Sequence, residues 1–251
     1  YEYHKRSLPK QIQDIEKYLA GLKATATAIV TPEDFVFEIG LTPNRMDAMS
    51  HLGVAKDVAS YVSHHFKKNY KVEMPSVALF KPDSKKSIIK VNIENTDACR
   101  RYCGVVISGI TIAASPLWMQ NKLRAIGVKP INNIVDITNF VLHETGQPLH
   151  AFDADEIGGK TITVKNLPEG SLFTTLDGKE RKLKADDLMI CDENGGICIA
   201  GVYGGLHSGI KEGTKNIFLE SAWFHPAAIR KTSLLHELRT DAASRFEKGV
   251  D

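Results

Sequence analysis

The sequence predicts an α+β protein in two parts: a small two-layer α/β unit with a linker over residues 1–85, then a larger module of layered mixed sheet and helix over 86–251. Three observations predict it. Apolar residues recur at roughly 3.6-residue spacing from 45 to 66, the period of an amphipathic helix. A polar stretch follows at 67–86, with two prolines and two lysine pairs, which suits a linker. Beyond it, helix-like and strand-like segments give way to short strands separated by turn residues.

Taken in order, residues 8–21 have apolar positions at helical spacing and predict a short helix. Segment 35–41, FVFEIGL, predicts a strand. Thr42-Pro43-Asn44 breaks that strand and offers a cap for the helix at 45–66, with Gly53 as a bend. Residues 87–93 alternate as a strand does. Segment 102–110, YCGVVISGI, is almost continuously apolar and predicts a strand buried on both faces. Ser115-Pro116 caps a helix that runs to Ile126 and stops at Gly127. A second helix at 132–143 is bounded by Pro130 and Gly146. The later half turns to β character. Residues 161–165 form a strand, and Leu176-Asp177-Gly178-Lys179 predicts a hairpin with a type I′ turn. Strands at 187–191 and 196–201 pair around 192–195, another strand runs over 217–221, and helices close the chain at 226–237 and 242–248. No internal repeat or low-complexity segment is present.

Composition narrows the function classes. Hydrophobic residues make up 43% of the 251 and charged residues 25%, enough for a sizeable core. A formal net charge of +2 does not announce a nucleic-acid binder, although a local patch can still touch RNA. The four cysteines, Cys99, Cys103, Cys191 and Cys198, form no CxxC pair and no zinc pattern with histidine, so reduced thiols and no metal site are expected. No apolar run reaches the ~18 residues of a membrane-spanning helix. The chain starts at Tyr1 and stops at Asp251 just after a helical stretch, so it is expected to be an internal piece of a longer subunit.

Three short segments look unlike core filler. Glu220 follows three large apolar residues on the strand at 217–221. Strand alternation can point it outward, or it can be a pocket carboxylate awaiting a ligand hydroxyl; burial without a partner costs several kcal/mol. Gly201, Gly204 and Gly205 end an apolar strand. They make either a tight turn or a backbone wall that a ligand approaches closely. The spacing is neither a dinucleotide fingerprint nor a phosphate-binding loop. His150 lies two residues after Pro148, with Asp153 nearby. It is either a hydrogen-bonded structural residue or a group that orients or deprotonates water. No nucleophile elbow or cysteine–histidine dyad accompanies it.

These segments, in order, closely resemble the editing module of bacterial phenylalanyl-tRNA synthetase β subunits. The matching stretches are PINNIVDITN at 130–139, GQPLHAFD at 146–153, AGV at 200–202 with Gly204-Gly205, FLE at 218–220, and RTD at 239–241 running into RFEKGVD at 245–251. Upstream, LTPNRMD at 41–47 resembles the signature of the family's first module; the likeness spans about 35–251. The resemblance implies hydrolysis of tyrosine wrongly attached to the phenylalanine tRNA. An apolar pocket for phenylalanine rejects an added hydroxyl by only roughly 10²-fold, so a second site that hydrogen-bonds that hydroxyl is needed. By position, Glu220 resembles the acceptor of the tyrosine hydroxyl and His150 a catalytic-site residue that positions water or acts as base. Thr138, Asn139, Ala151, Ala200, Gly201, Gly204, Thr240 and Ala242 resemble substrate-binding positions. The resemblance also implies an α subunit partner in a heterotetramer of two α and two β chains, a cytoplasmic setting and no membrane. It implies ATP and magnesium for the whole enzyme and no cofactor in this segment. The alternative is a non-catalytic RNA-binding or scaffold module of the same subunit.

Overall fold

The computed structural model describes residues 26–30, 35–84, 87–206 and 208–250, so the helix expected at 8–21 lies outside the described residues. The protein is α+β, as the sequence predicts. Strands β1 (Ala26–Val30) and β2 (Phe35–Ile39) pair antiparallel. The next helix, α1, spans His51–Phe66 and not 45–66. Its cap is Ser50, whose side chain accepts from Gly53 N, rather than Thr42-Pro43-Asn44. The Arg45 guanidinium binds Asp47 at 2.9 Å and Asp57 at 2.6 Å, and 46–48 form a separate 3-10 turn before the helix. Gly53 is a point of close approach: a Cβ there would lie 1.9 Å from Asp47 O. No helix or strand forms among the described residues of 67–84.

Residues 87–206 and 208–250 hold two larger sheets and one two-stranded sheet. Strands β3 (Lys90–Ile93), β4 (Cys99–Ser108), β5 (Leu149–Asp153) and β6 (Thr161–Asn166) are separated by two helices, α2 (Leu117–Ala125) and α3 (Asn133–Thr145). After them come β7 (Leu172–Thr174), β8 (Glu180–Lys182), β9 (Leu188–Asp192), β10 (Gly195–Ile199), β11 (Tyr203–Gly204) and β12 (Asn216–Phe224). Helices α4 (Pro226–Leu235) and α5 (Asp241–Phe246) end the described chain. One sheet has the order β11-β10-β9-β6-β3 and the other β4-β12-β5. Among the described residues, only β3 and β6 run parallel.

The two sheets share one core. Phe152, Phe218, Ala222 and Phe224 from the three-stranded sheet pack with Ile162, Val164, Met189, Ile190, Cys198 and Ile199 from the other. On the opposite face of the three-stranded sheet, Ala151 and Ile217 pack on Ile134 of α3. Helix α3 ends at Gly146 as its sequence predicts, and its N-terminus is held by Asn132 just outside the helix. Asn132 accepts from Ile134 N and Val135 N, and Gly146 takes φ +87 at the C-terminus. Such an N-cap contributes about 1 kcal/mol.

Three local expectations change. Strand β4 is an edge strand and half exposed, not buried on both faces; an apolar run alone cannot distinguish edge from centre. Ser115 does not cap α2 but donates to the buried Asp136, which also accepts from Ile131 N at 2.8 Å. The 176–179 turn is not type I′, because Gly178 (φ +76) has positive φ and Asp177 does not. Gly178 N donates to Thr175 O and Thr175 N to Lys179 O, the pattern of a three-residue loop with a glycine bulge.

Candidate functional site

β12 reads NIFLESAWF, and its alternation places Phe218, Glu220, Ala222 and Phe224 on the face toward the second sheet. Because β12 is the central strand of a sheet covered on both sides, neither face is outward. Glu220 is 5% exposed, so strand alternation does not point it outward. Its cross-strand neighbours are Gly104 on β4 and His150 on β5. Side chains directly opposite in an antiparallel pair share a face, so Glu220 and His150 border the same space.

The Tyr102 hydroxyl donates to Glu220 Oε2 at 2.5 Å. Burial pushes the Glu220 carboxyl from 4.5 up to about 7, while the Tyr102 hydrogen bond pulls it down. Burial also drives the Tyr102 phenol and the Cys198 thiol well above their ordinary values, and the Glu220 charge adds to both. Cys99 rises to about 12 for the same two reasons, so none of these thiols is a nucleophile at neutral pH.

His150 is held edge-on to Phe152 at 4.4 Å, and burial lowers it to about 4. It is therefore neutral in ordinary buffers. Its Nε2 is buried and has no hydrogen-bond partner among the described residues. An unpaired buried ring nitrogen costs about 1–3 kcal/mol, so the site is set up for a polar atom that the fold itself does not supply. So weak a base suits positioning of water better than deprotonating it.

The glycines divide by role. Gly204 brings β11 against the histidine: a Cβ there would sit 3.3 Å from His150 Cε1. Gly205 and Gly201 instead answer packing. A Cβ at Gly205 would meet Ile197 O at 2.6 Å, and one at Gly201 would meet the Phe224 and Phe246 rings at 2.9 Å. Ala200 lies beside Gly201 in the core, 1% exposed.

The remaining expected site residues lie further out. Ala151 faces α3, on the other side of the sheet from His150. Thr138 is buried on α3 and donates its hydroxyl to Val135 O at 2.8 Å; Asn139 follows it, half-buried. Thr240 caps α5 by accepting from Ala243 N and donates to Val202 O at 3.0 Å, and Ala242 packs on the core. The structure thus brings together Glu220, His150 and Gly204, and sets Thr138, Asn139 and Ala151 in the neighbouring layer.

Tyr102, the direct partner of Glu220, has no signal of its own in the sequence. Gln147, in the GQPLHAFD stretch, donates its amide to Pro148 O and to Ala222 O at 3.1 Å, tying the turn before His150 to β12 two residues from Glu220. Gly104, two residues after Tyr102, carried a signal: glycine inside a strand marks close approach, and a Cβ there would lie 2.0 Å from the Phe218 ring. Among the described residues, no group of His, Cys, Asp or Glu side chains is arranged to hold a metal, and no helix is long and apolar enough to cross a membrane.

Fold and site define an α+β module built around a buried acid with a neutral histidine opposite. Residues 98–251 match the B3/4 domain family, and the chain belongs to that family. It is 53% identical over 218 residues to a phenylalanine–tRNA ligase beta subunit of Bacteroides fragilis, covering 87% of this chain and 26% of that protein. The same-named subunit of Carboxydothermus hydrogenoformans is 44% identical over 219 residues, covering 87% of this chain and 27% of that protein. The chain thus spans about a quarter of the length of these curated relatives. Among solved structures, it is similar to an N-terminal fragment of the phenylalanyl-tRNA synthetase beta-subunit from Pyrococcus horikoshii. That match has TM-score 0.42 and 15% identity, covering 93% of this chain and 68% of that one.

Proposed function

We propose that this chain is the part of a phenylalanine–tRNA ligase β subunit that hydrolyses phenylalanine tRNA wrongly charged with tyrosine. The observation that carries the reading is Glu220: a carboxylate 5% exposed, on a central strand, opposite a histidine whose Nε2 is unpaired. A tyrosyl phenol would donate to Glu220, whose hydrogen bond from Tyr102 engages Oε2. A phenylalanyl group lacks that donor, at about 1–3 kcal/mol. Neutral His150 supplies a hydrogen bond to the attacking water or to the ester. Hydrolysis breaks the bond between the aminoacyl carbonyl and the ribose oxygen; water gives its oxygen to the tyrosine carboxyl and a proton to the ribose. Selection by one hydroxyl suits an error-removing site, since the synthetic pocket rejects that hydroxyl only weakly.

In this reading the chain works in the cytoplasm beside an α subunit that binds ATP and magnesium and charges the tRNA. The test is deacylation of tyrosyl-tRNA by the whole ligase. Glu220→Ala should abolish the preference for tyrosyl over phenylalanyl ester, and His150→Ala should slow both. Deacylation unchanged in both variants would leave a non-catalytic RNA-binding or scaffold module as the better account.

A further inference from the structure

Glu220 carries a phenol of its own. Tyr102 stands on β4, where it pairs across the ladder with Ala222, two places along from the Gly104–Glu220 pair and on the same face. Its ring lies nearly parallel to that of Phe218, centroids 6.4 Å apart and planes 12° apart. Phe218 is 1% exposed, so the Tyr102 ring stacks on a buried neighbour. From this seat the hydroxyl donates to Glu220 Oε2 at 2.5 Å.

A carboxylate has two oxygens and about four acceptor positions. The groups that face Glu220 are Tyr102 and Cys99 from β4, His150 from β5 and Cys198 from β10. None is a cation: the two thiols and the imidazole are neutral at pH 7. The Tyr102 hydroxyl is thus the one described group that favours the ionised acid.

We propose that Tyr102 is a positioning residue for specificity: its phenolic O–H holds Glu220 Oε2 and leaves Oε1 to read the hydroxyl of the incoming aryl group. This rests on the editing reading above. The physical reason lies in what an unpaired oxygen costs. A buried ionised oxygen left without a donor is expensive, and that expense rejects the phenylalanyl ester. A protonated carboxyl accepts more weakly, rotates to satisfy itself and penalises the missing hydroxyl less. Burial favours the protonated form, and Tyr102 opposes burial. The discrimination against phenylalanine thus depends on a residue that need not touch the substrate.

The experiment uses the whole ligase and follows deacylation of tyrosyl-tRNA and phenylalanyl-tRNA from pH 5 to pH 9. Tyr102→Phe removes one oxygen and keeps the ring against Phe218. The acid limb for tyrosyl ester, centred near 7 in the parent protein, should move up by about one pH unit, the scale of a hydrogen bond to a charge. The tyrosyl-over-phenylalanyl preference at pH 7 should fall about tenfold, with aminoacylation unchanged. A fluorinated tyrosine at 102, a stronger donor of nearly the same shape, should move the limb down. A merely structural role for Tyr102 would move neither limb in opposite directions. Equal midpoints and equal preference in all three proteins would overturn the proposal, and so would limbs that move the same way. Glu220→Gln separates the two levels. If it loses the preference while Tyr102→Phe keeps it, the editing reading stands and the role of Tyr102 is wrong. If Glu220→Gln keeps both preference and limb, the editing reading itself fails.

Discussion

Replacing Glu220 by Gln tests the central electrostatic claim without reference to substrate. The side chain is 5% exposed, and burial lifts its carboxyl from 4.5 to about 7. At about 1.4 kcal/mol per pH unit, the charged form is disfavoured in the fold by about 3 kcal/mol. The sign follows from proton counts. Between 4.5 and about 7 the folded chain holds the Glu220 proton and the unfolded chain has lost it, so this group's contribution to stability declines as pH rises through that window. Glutamine keeps the shape, still offers an oxygen to the Tyr102 hydroxyl and carries no charge. The variant should match the parent protein near pH 4.5 and exceed it by about 3 kcal/mol above pH 7. The assay is amide hydrogen exchange of β12 peptides in the whole subunit, corrected for intrinsic rates, because local opening is read there without assuming a single unfolding transition. Protection in the variant should rise to about 100-fold over the parent at pH 8. Equal protection at pH 8 would refute the reasoning, since it would mean that the carboxylate is hydrated in the folded protein.

Other outcomes follow from the same geometry. His150 works in the opposite sense to Glu220: its proton is lost in the fold down to about 4, so its contribution weakens as pH falls from 6.5. His150→Gln should therefore leave β12 protection declining steadily from pH 4.5 to 7, and a rise over that range would contradict the assignment. Gly104→Ala puts a methyl 2.0 Å from the Phe218 ring in a filled core and should destabilise by about 1–3 kcal/mol, read as a lower melting temperature. Gly204→Ala meets only His150, at 3.3 Å, and φ there is not positive, so melting should hold while tyrosyl-tRNA deacylation slows; the reverse pattern would make Gly204 a packing residue. Asp187→Ala strands the His236 ring, the Thr232 hydroxyl and Lys184 N and should cost about 3 kcal/mol or more in urea unfolding of the α4–β9 region, with little direct effect on the site.

Local rules read locally set features well. Asn132 and Gly146 delimit α3 because a side-chain oxygen at the N-terminus and positive φ at the C-terminus are properties of single residues. Residues 42–44 do not set the start of α1, where Arg45 engages Asp47 and, twelve residues away, Asp57. Ser115 does not cap α2, because its partner, Asp136, is twenty-one residues along the chain. Short-range chemistry names which residues are able to cap or pair, and distant partners choose among them.

The sequence by itself determined the α+β class, most strand and helix positions, and the short set of residues able to do chemistry, because alternation, helical period and turn residues act over a few positions. Only the tertiary structure decided which side of its sheet Glu220 faces, that β12 is central and β4 an edge, and that Tyr102, 118 residues distant in the chain, bonds to Glu220. Burial is the reason. Whether a carboxyl meets water or a phenol depends on which strands lie beside and above it, and no periodicity along one strand contains that information.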